Sequence, residues 1–522
     1  MKIRAFIIAQ IICCAIMGLG IICPAYSAEI WCNPTNTGVE NGESKLTGYN
    51  TLHEALAVMS SNDTAIISNG DWRNTAGMYI DRTHRPPDGT GGGYSKIQAE
   101  TDWGVKLPYI NIETLYSEPH GYIEIRGIVF DNKFIGTGIG HIVYHMNHFK
   151  YIRCGFLAHG VTGNNHAAGF GNSNSDRRLN QYNLMEECII WGSGRYMQYS
   201  KYGQYNIFRR CVIRHDYHDG LGGQDDGQIF NYRAYACDYH IYQNCISIDS
   251  DRTQYFSSLQ SEAGGFWPGD SYGATGNAMY GCISIKDVHL PYYIAGNGSG
   301  FASIENSIAL DVTVPGYTTL SAFVLKNNIT LSAKNLLAIK ALQDGQDGVY
   351  GKNLGAYSLT DSIIRDVNEY GIFSATGLNI NHFNAGIGNF GENPIDSDPL
   401  LNGLSYPIRV EEGSPLATAG VNGGPVGPSI MKKIGISGKL YGEPGWDTLT
   451  NENLWPFPNE DKIKELMSET VEGVSGIYGF TSGNSLDGTP QTLTKYIWEY
   501  LRNKIPEDIY SRKPLITKTS IQ

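Results

Sequence analysis

The chain has 522 residues, 17% of them charged, with Gly 63, Tyr 34 and a formal net charge of −12. That acidity argues against nucleic acid as a partner, and it makes an anionic polymer a ligand only where a cation or a local basic patch mediates. The length exceeds the usual ~100–200 residues of one domain, a conflict that a stack of repeats removes because a solenoid lengthens without thickening, and the glycine and tyrosine content favours turn-rich β structure over helix.

In chain order, Lys2 and Arg4 precede an apolar run from about Phe6 to Ile22 and the small-residue stretch Pro24-Ala-Tyr-Ser-Ala28. This reads as an export signal over residues 1–28, with cleavage expected after Ser27 or Ala28. An uncleaved anchor is the alternative, but Gln10, Gly18 and Gly20 interrupt the run, and Cys23 follows Ile22 rather than the small residue a lipoprotein needs. No second apolar run of membrane-spanning length occurs. The mature part is therefore expected to be exported (secreted, at the cell surface or in the periplasm) and free of the membrane. Cys13, Cys14 and Cys23 leave with the signal, so seven of the ten cysteines remain and not all can pair.

Tyr49 to Met59 carries apolar residues at helical spacing and leads into Asp63-Thr-Ala-Ile-Ile-Ser-Asn-Gly-Asp71, a short amphipathic helix followed by a strand. These would cap the first coil of the stack. Five segments then place a cysteine at one position: Tyr151-Ile-Arg-Cys154, Met185-Glu-Glu-Cys188, Phe208-Arg-Arg-Cys211, Tyr242-Gln-Asn-Cys245 and Met279-Tyr-Gly-Cys282. Gly127, Ser307, Asn328 and Ser362 extend the series to nine rungs spaced 21 to 37 residues apart. Such units are too short for a βαβ crossover and are rich in Ile, Val, Tyr and Gly, so they predict strands joined by turns and stacked in parallel. Equivalent positions then lie about 4.8 Å apart, and small groups at one bend form a buried column. A cysteine metal site would need convergent thiolates at short spacing, and no Cys-x-x-Cys occurs. Cys32 and Cys237 stand off the ladder, and their pairing is open.

The solenoid is assigned to residues 29–425, its last coil marked by Asp396-Ser-Asp-Pro-Leu-Leu and Gly413-Ser-Pro-Leu-Ala. Residues 426–522 form an extension with two short helices, Asn459 to Met467 and Leu493 to Leu501, the second with Thr489-Pro490 as N-cap and first turn. They would cover the end of the stack or lie along its flank.

The N-terminal order Ile30-Trp-Cys-Asn-Pro, Asn41-Gly, Thr51-Leu-His-Glu-Ala-Leu56 and Ile66 to Gly70, taken with the ladder, resembles the opening of pectate-lyase-like right-handed parallel β-helix proteins over roughly residues 29 to 420. The resemblance implies an all-β right-handed parallel β-helix with an N-terminal helical cap. It is specific for fold and weak for activity, because that superfamily holds polysaccharide lyases, glycoside hydrolases, epimerases and proteins that only bind or build.

The middle coils carry the longest polar insertions, where a solenoid builds a site on one face. A uronate lyase needs a clamp for the sugar carboxylate, a base for the neighbouring proton and a donor for the leaving oxygen. By resemblance, Lys201 would be the base, Arg195 and Arg233 the clamp, and Asp216, Asp219, Asp225 and Asp226 ligands for Ca2+. Tyr196, Tyr199 and Tyr202 would bind sugar rings, and His215 and His218 are alternative bases. Solvated turns compete with each of these roles, since Asp-Gly and Gly-Gly mark turns whatever their function. Arg209 and Arg210 are expected at solvated strand positions.

A polygalacturonase-type hydrolase pattern fails: Gln224-Asp225-Asp226 echoes only its paired aspartate, His159-Gly160 comes too early, and no later Arg-x-Lys follows. The expectation is a carbohydrate-active enzyme, foremost a polysaccharide lyase acting on a uronate polymer. The alternative is a non-catalytic surface or matrix protein that binds glycans.

Overall fold

Short runs of Ile, Val, Leu and Tyr, broken every few residues by a turn, cannot bury their apolar faces alone, and here each run hydrogen-bonds to its counterpart one coil on. The computed structural model describes residues 27–113, 120–134, 140–161, 165–172, 175–217, 228–250, 262–268, 274–287, 290–295, 301–311, 320–326, 330–341, 346–352, 357–367, 370–373, 375–388, 390–471, 473 and 476–511. Their strands form three long sheets of 12, 13 and 12 strands in which every neighbour is parallel. One coil contributes Leu184–Glu186 to the first sheet, Ile189–Ser193 to the second and Tyr196–Lys201 to the third. The next coil pairs Ile207 with Leu184, Val212 with Ile189 and Phe230 with Tyr196. Right-handed winding, the rule for parallel crossovers, closes the three sheets into a β-helix. No described helix is long and apolar enough to cross a membrane.

The thiol column stands inside the tube. Cys154, Cys188, Cys211, Cys245 and Cys282 are all fully buried, and the Cys154 amide donates to the Cys188 sulfur at 3.4 Å. Each thiol reaches a carbonyl of the preceding coil, as Cys211 does to Met185 and Cys245 to Phe208, both at 3.3 Å. All seven cysteines from Cys32 onward are free and buried, so Cys32 and Cys237 do not pair. Burial pushes the Cys237 and Cys282 thiols up to about 12.

Two rungs need correction. Gly127 occupies the bend residue one position earlier, with φ +69° like Arg153, Glu187 and Arg210, and Ile128 is the rung that faces Cys154. Asn328 lies outside the described residues, and the rung after Ser307 is Leu336, because the Leu337 amide donates to the Ser307 carbonyl just as Ile308 donates to Cys282. Ile128, Leu336 and Ile380 are as buried as the cysteines, so the column admits branched apolar side chains and not only small ones.

Thr51 caps the helix Leu52–Val58 in a capping box with Glu54, and Leu52, Ala55 and Leu56 cover the first coil. At the other end, the helices Glu460–Met467 and Leu493–Trp498 lie along the outer face of the second sheet, where Ile463, Leu466, Ile497 and Trp498 share a cluster with Leu157, Trp191 and Ile246. The second helix is capped by Thr492 rather than Thr489.

Arg209 and Arg210 are not solvated. They are 0% and 1% exposed, and they clasp the returning chain: Arg209 donates to Ile436 O at 2.9 Å and Trp446 O at 2.8 Å. Arg210 pairs with Glu186 and Glu187 and donates to Ser437 at 3.0 Å. The carbonyls of an unpaired loop are satisfied by guanidinium forks, which turns a surface strap into part of the core.

Candidate functional site

Alternation along a strand sends every second side chain out of the tube. In the third sheet Tyr199, Arg233 and Trp267 stand in register on successive coils, as do Lys201 and Tyr235, and His166, Tyr196 and Phe230. Ser200 between them points inward to His240 Nε2 at 2.8 Å. Tyr196, Tyr199, Phe230, Trp267 and Tyr293 form an aromatic cluster separate from the core, with Tyr235 at its edge.

Three cations thread this cluster. The Arg233 guanidinium carbon lies 3.3 Å from the centre of the Trp267 ring and 5.7 Å from that of Tyr196. Arg195 also sits over Tyr196, at 5.0 Å, and Lys201 Nζ is 5.3 Å from Tyr202 and 5.9 Å from Tyr235. Aromatic faces hold cations through the ring quadrupole, so stacked rings let like charges share one face. Arg195 and Lys201 remain half-buried, whereas Arg233 is 1% exposed.

His166, one coil before Tyr196, completes the face. Its ring stacks 4.9 Å from Tyr196 and meets Tyr199 at a tilt of 42°, centroids 3.8 Å apart. Burial, then Arg195, Lys201 and Arg233, hold its imidazole far below the ordinary histidine range, so it is neutral, and its buried Nδ1 has no hydrogen-bond partner among the described residues. A neutral imidazole with a free ring nitrogen among three cations can accept a proton from an anionic ligand that those cations attract.

The structure thus gathers Arg195, Tyr196, Tyr199, Lys201, Tyr202 and Arg233 on one face. Two expected members stand elsewhere. His215 points into the tube with Nε2 2.7 Å from the Gly194 carbonyl. Asp216 lies beneath the C-terminal strap, where its carboxylate pairs with Arg214 at 2.7 Å and accepts from the Tyr478 hydroxyl at 2.5 Å and the Gly192 amide at 3.0 Å. With its oxygens so engaged, Asp216 does not suit calcium. Among the described residues no three His, Cys, Asp or Glu side chains gather as metal ligands. His218, Asp219, Asp225 and Asp226 lie outside the described residues.

Three parallel sheets wound into one tube, with a helical cap at the first coil, define a right-handed parallel β-helix, and its third sheet carries an outward cation–aromatic face. No family model and no curated protein matches the chain. Among solved structures it is similar to pectate lyase Pel9A, at a TM-score of 0.42 and 12% identity, covering 76% of this chain and 92% of that one. It is also similar to an alginate lyase from Paenibacillus sp. str. FPU-7, at a TM-score of 0.32 and 10% identity over 71% of this chain and 98% of that one. A rhamnogalacturonan lyase gives a TM-score of 0.29 and 12% identity over 69% and 75%. Likeness this distant leaves function to be argued from the outward side chains.

Proposed function

We propose that this is an exported polysaccharide lyase whose third-sheet face receives a uronate-containing chain. The observation that carries the reading is the neutral His166 set among Arg195, Lys201 and Arg233. Arg195 and Lys201, the two cations with exposed surface, would hold the sugar carboxylate and so acidify the adjacent C5 proton. Arg233, sealed against Trp267, positions the face and adds charge from beneath. The neutral His166 imidazole, which keeps partial exposure, would take the C5 proton. The C–H electron pair then forms the C4–C5 double bond as the C4–O bond breaks, and the departing oxygen collects a proton from water or from the Tyr202 hydroxyl. A bound carboxylate offsets the cations around His166 and raises its basicity when a base is needed. Lys201 is the alternative base.

Incubation of the mature protein with alginate, pectate and glycosaminoglycans, with and without calcium, tests this through the ultraviolet absorbance of unsaturated uronates. The expected result is product from at least one polymer and its loss in His166→Gln. An absence of product from every polymer would remove the lyase. A second reading, a glycan-binding protein without turnover, draws on the deep burial of Tyr196, Tyr199 and Arg233, at 3%, 7% and 1% exposure. Binding without product would favour it.

A further inference from the structure

Where each coil turns from the third sheet into the first, a second aromatic feature runs along the tube. Tyr122, His148, Tyr182, Tyr205 and Tyr239 stack ring on ring, with successive centroids 4.4, 5.2, 5.0 and 5.0 Å apart. All five adopt φ between +51° and +57° or slightly beyond, up to +59° at Tyr205. That conformation suits Gly or Asn and costs a bulky residue about 1–2 kcal/mol. The next coil does place Gly276 there. The fold therefore does not require aromatic residues at this corner, yet it carries them on five consecutive coils.

The strap closes over the column. Leu440 packs with Leu184, Ile207 and Ile241, and the Tyr441 ring leans 4.9 Å from Tyr205 and 4.3 Å from Trp446. Between column and strap lies a groove of about 640 Å³ lined by His148, Tyr182, Tyr205, Tyr239, Tyr441 and Glu443. Among the described residues, no hydrogen bond engages the hydroxyls of Tyr205 or Tyr441.

We propose that this groove binds a neutral, extended β-linked polysaccharide, as a site separate from the uronate face. Three observations identify the occupant. The lining offers phenol hydroxyls beside the apolar flanks of stacked rings and Leu440, which suit the hydroxyl groups and apolar edges of pyranose rings. Among the described lining residues Glu443 is the acidic one and none is Lys or Arg, on a chain of net charge −12, which repels a polyanion. The rings repeat at the rise of one coil, a length comparable to the advance of an extended β-linked chain per sugar, so successive sugars meet equivalent tyrosines. A neutral matrix polymer held here would keep the protein beside acidic chains, although the inference stands whether or not the uronate face is catalytic.

Affinity electrophoresis of the full-length mature protein tests it, with xylan, glucomannan or hydroxyethylcellulose in the gel and polygalacturonate as the anionic control. Retardation is expected in at least one neutral gel, unchanged by added salt, and weakened at least tenfold in a Tyr205→Ala, Tyr239→Ala double variant that melts like the wild type. Tyr205→Phe with Tyr239→Phe keeps the stack and removes only hydroxyls, and it is expected to weaken retardation by a smaller factor. Migration unaffected by every neutral polymer, retardation in polygalacturonate alone, or full retardation of both double variants would overturn the proposal.

Discussion

Arg233 and Trp267, paired in register on neighbouring coils, place a guanidinium 3.3 Å from the centre of an indole ring in a setting where both are almost fully buried. A desolvated cation–π contact of this kind is worth about 2 kcal/mol. A double-mutant cycle of Arg233→Met and Trp267→Leu, followed by denaturant unfolding, is expected to give a coupling of roughly 1–2 kcal/mol. Arg233→Lys is expected not to restore it, since an ammonium lacks the planar face that stacks. Additive effects would show that the contact does not organise the site.

Arg210 tests the strap. Its guanidinium balances Glu186 and Glu187, which are 1% and 8% exposed. Arg210→Ala removes the nearest cation from Glu186, leaving it Arg209 at 3.7 Å, leaves Glu187 ion-paired with Arg153 alone among the described residues, and frees the carbonyl of Ile434. We expect a loss of roughly 3–5 kcal/mol, read as a lower urea midpoint with early exposure of the C-terminal segment to protease. A change below about 1 kcal/mol would mean that the pair is solvated after all.

A pH response follows from Asp249, which accepts from the Tyr496 hydroxyl at 2.6 Å and the Phe480 amide at 2.8 Å and so ties the strap to the second sheet. Burial pushes its carboxyl up to about 6 from 3.8. The folded state thus holds a proton that the unfolded state releases, and the associated stability is present below about pH 4 and lost as pH rises through about 6. Asp287, raised by burial to about 7, adds the same sign. Because buried neutral histidines act in the opposite direction, the expected readout is a difference: between pH 4 and 7 the slope of melting temperature against pH is more positive in Asp249→Asn than in the wild type. An unchanged slope in that variant would assign the response to other groups.

His166 carries the opposite sign. Its folded imidazole is held neutral, so the unfolded chain binds the proton first, and stability drops as pH falls below 6.5. Its ring resonances are expected to titrate well below the ordinary histidine range and to move upward on adding an oligouronate. An ordinary titration midpoint, or no movement with ligand, would separate His166 from the cations.

The cysteine ladder made the solenoid legible, because five thiols recur in the same local frame and the frame is a bend. Its ends were not, since Lys326-Asn-Asn-Ile looks like Glu305-Asn-Ser-Ile while only the hydrogen-bond register places Leu336 above Ser307. The run Arg195 to Tyr202 announced a polar face through its composition. His166 did not, because it joins that face across a full coil, a relation visible only once His166 and Tyr196 are paired. Arg209 looked solvated because its partners Ile436 and Trp446 lie more than two hundred residues on.

The location of a bound acidic sugar bears most directly on the whole account. A crystal of the mature protein soaked with an oligouronate is expected to show density with its carboxylate within hydrogen-bond reach of Lys201 Nζ and the Arg195 guanidinium, beside His166. Density confined to the Tyr205 groove, or elsewhere on the tube with the third-sheet face bare, would contradict it.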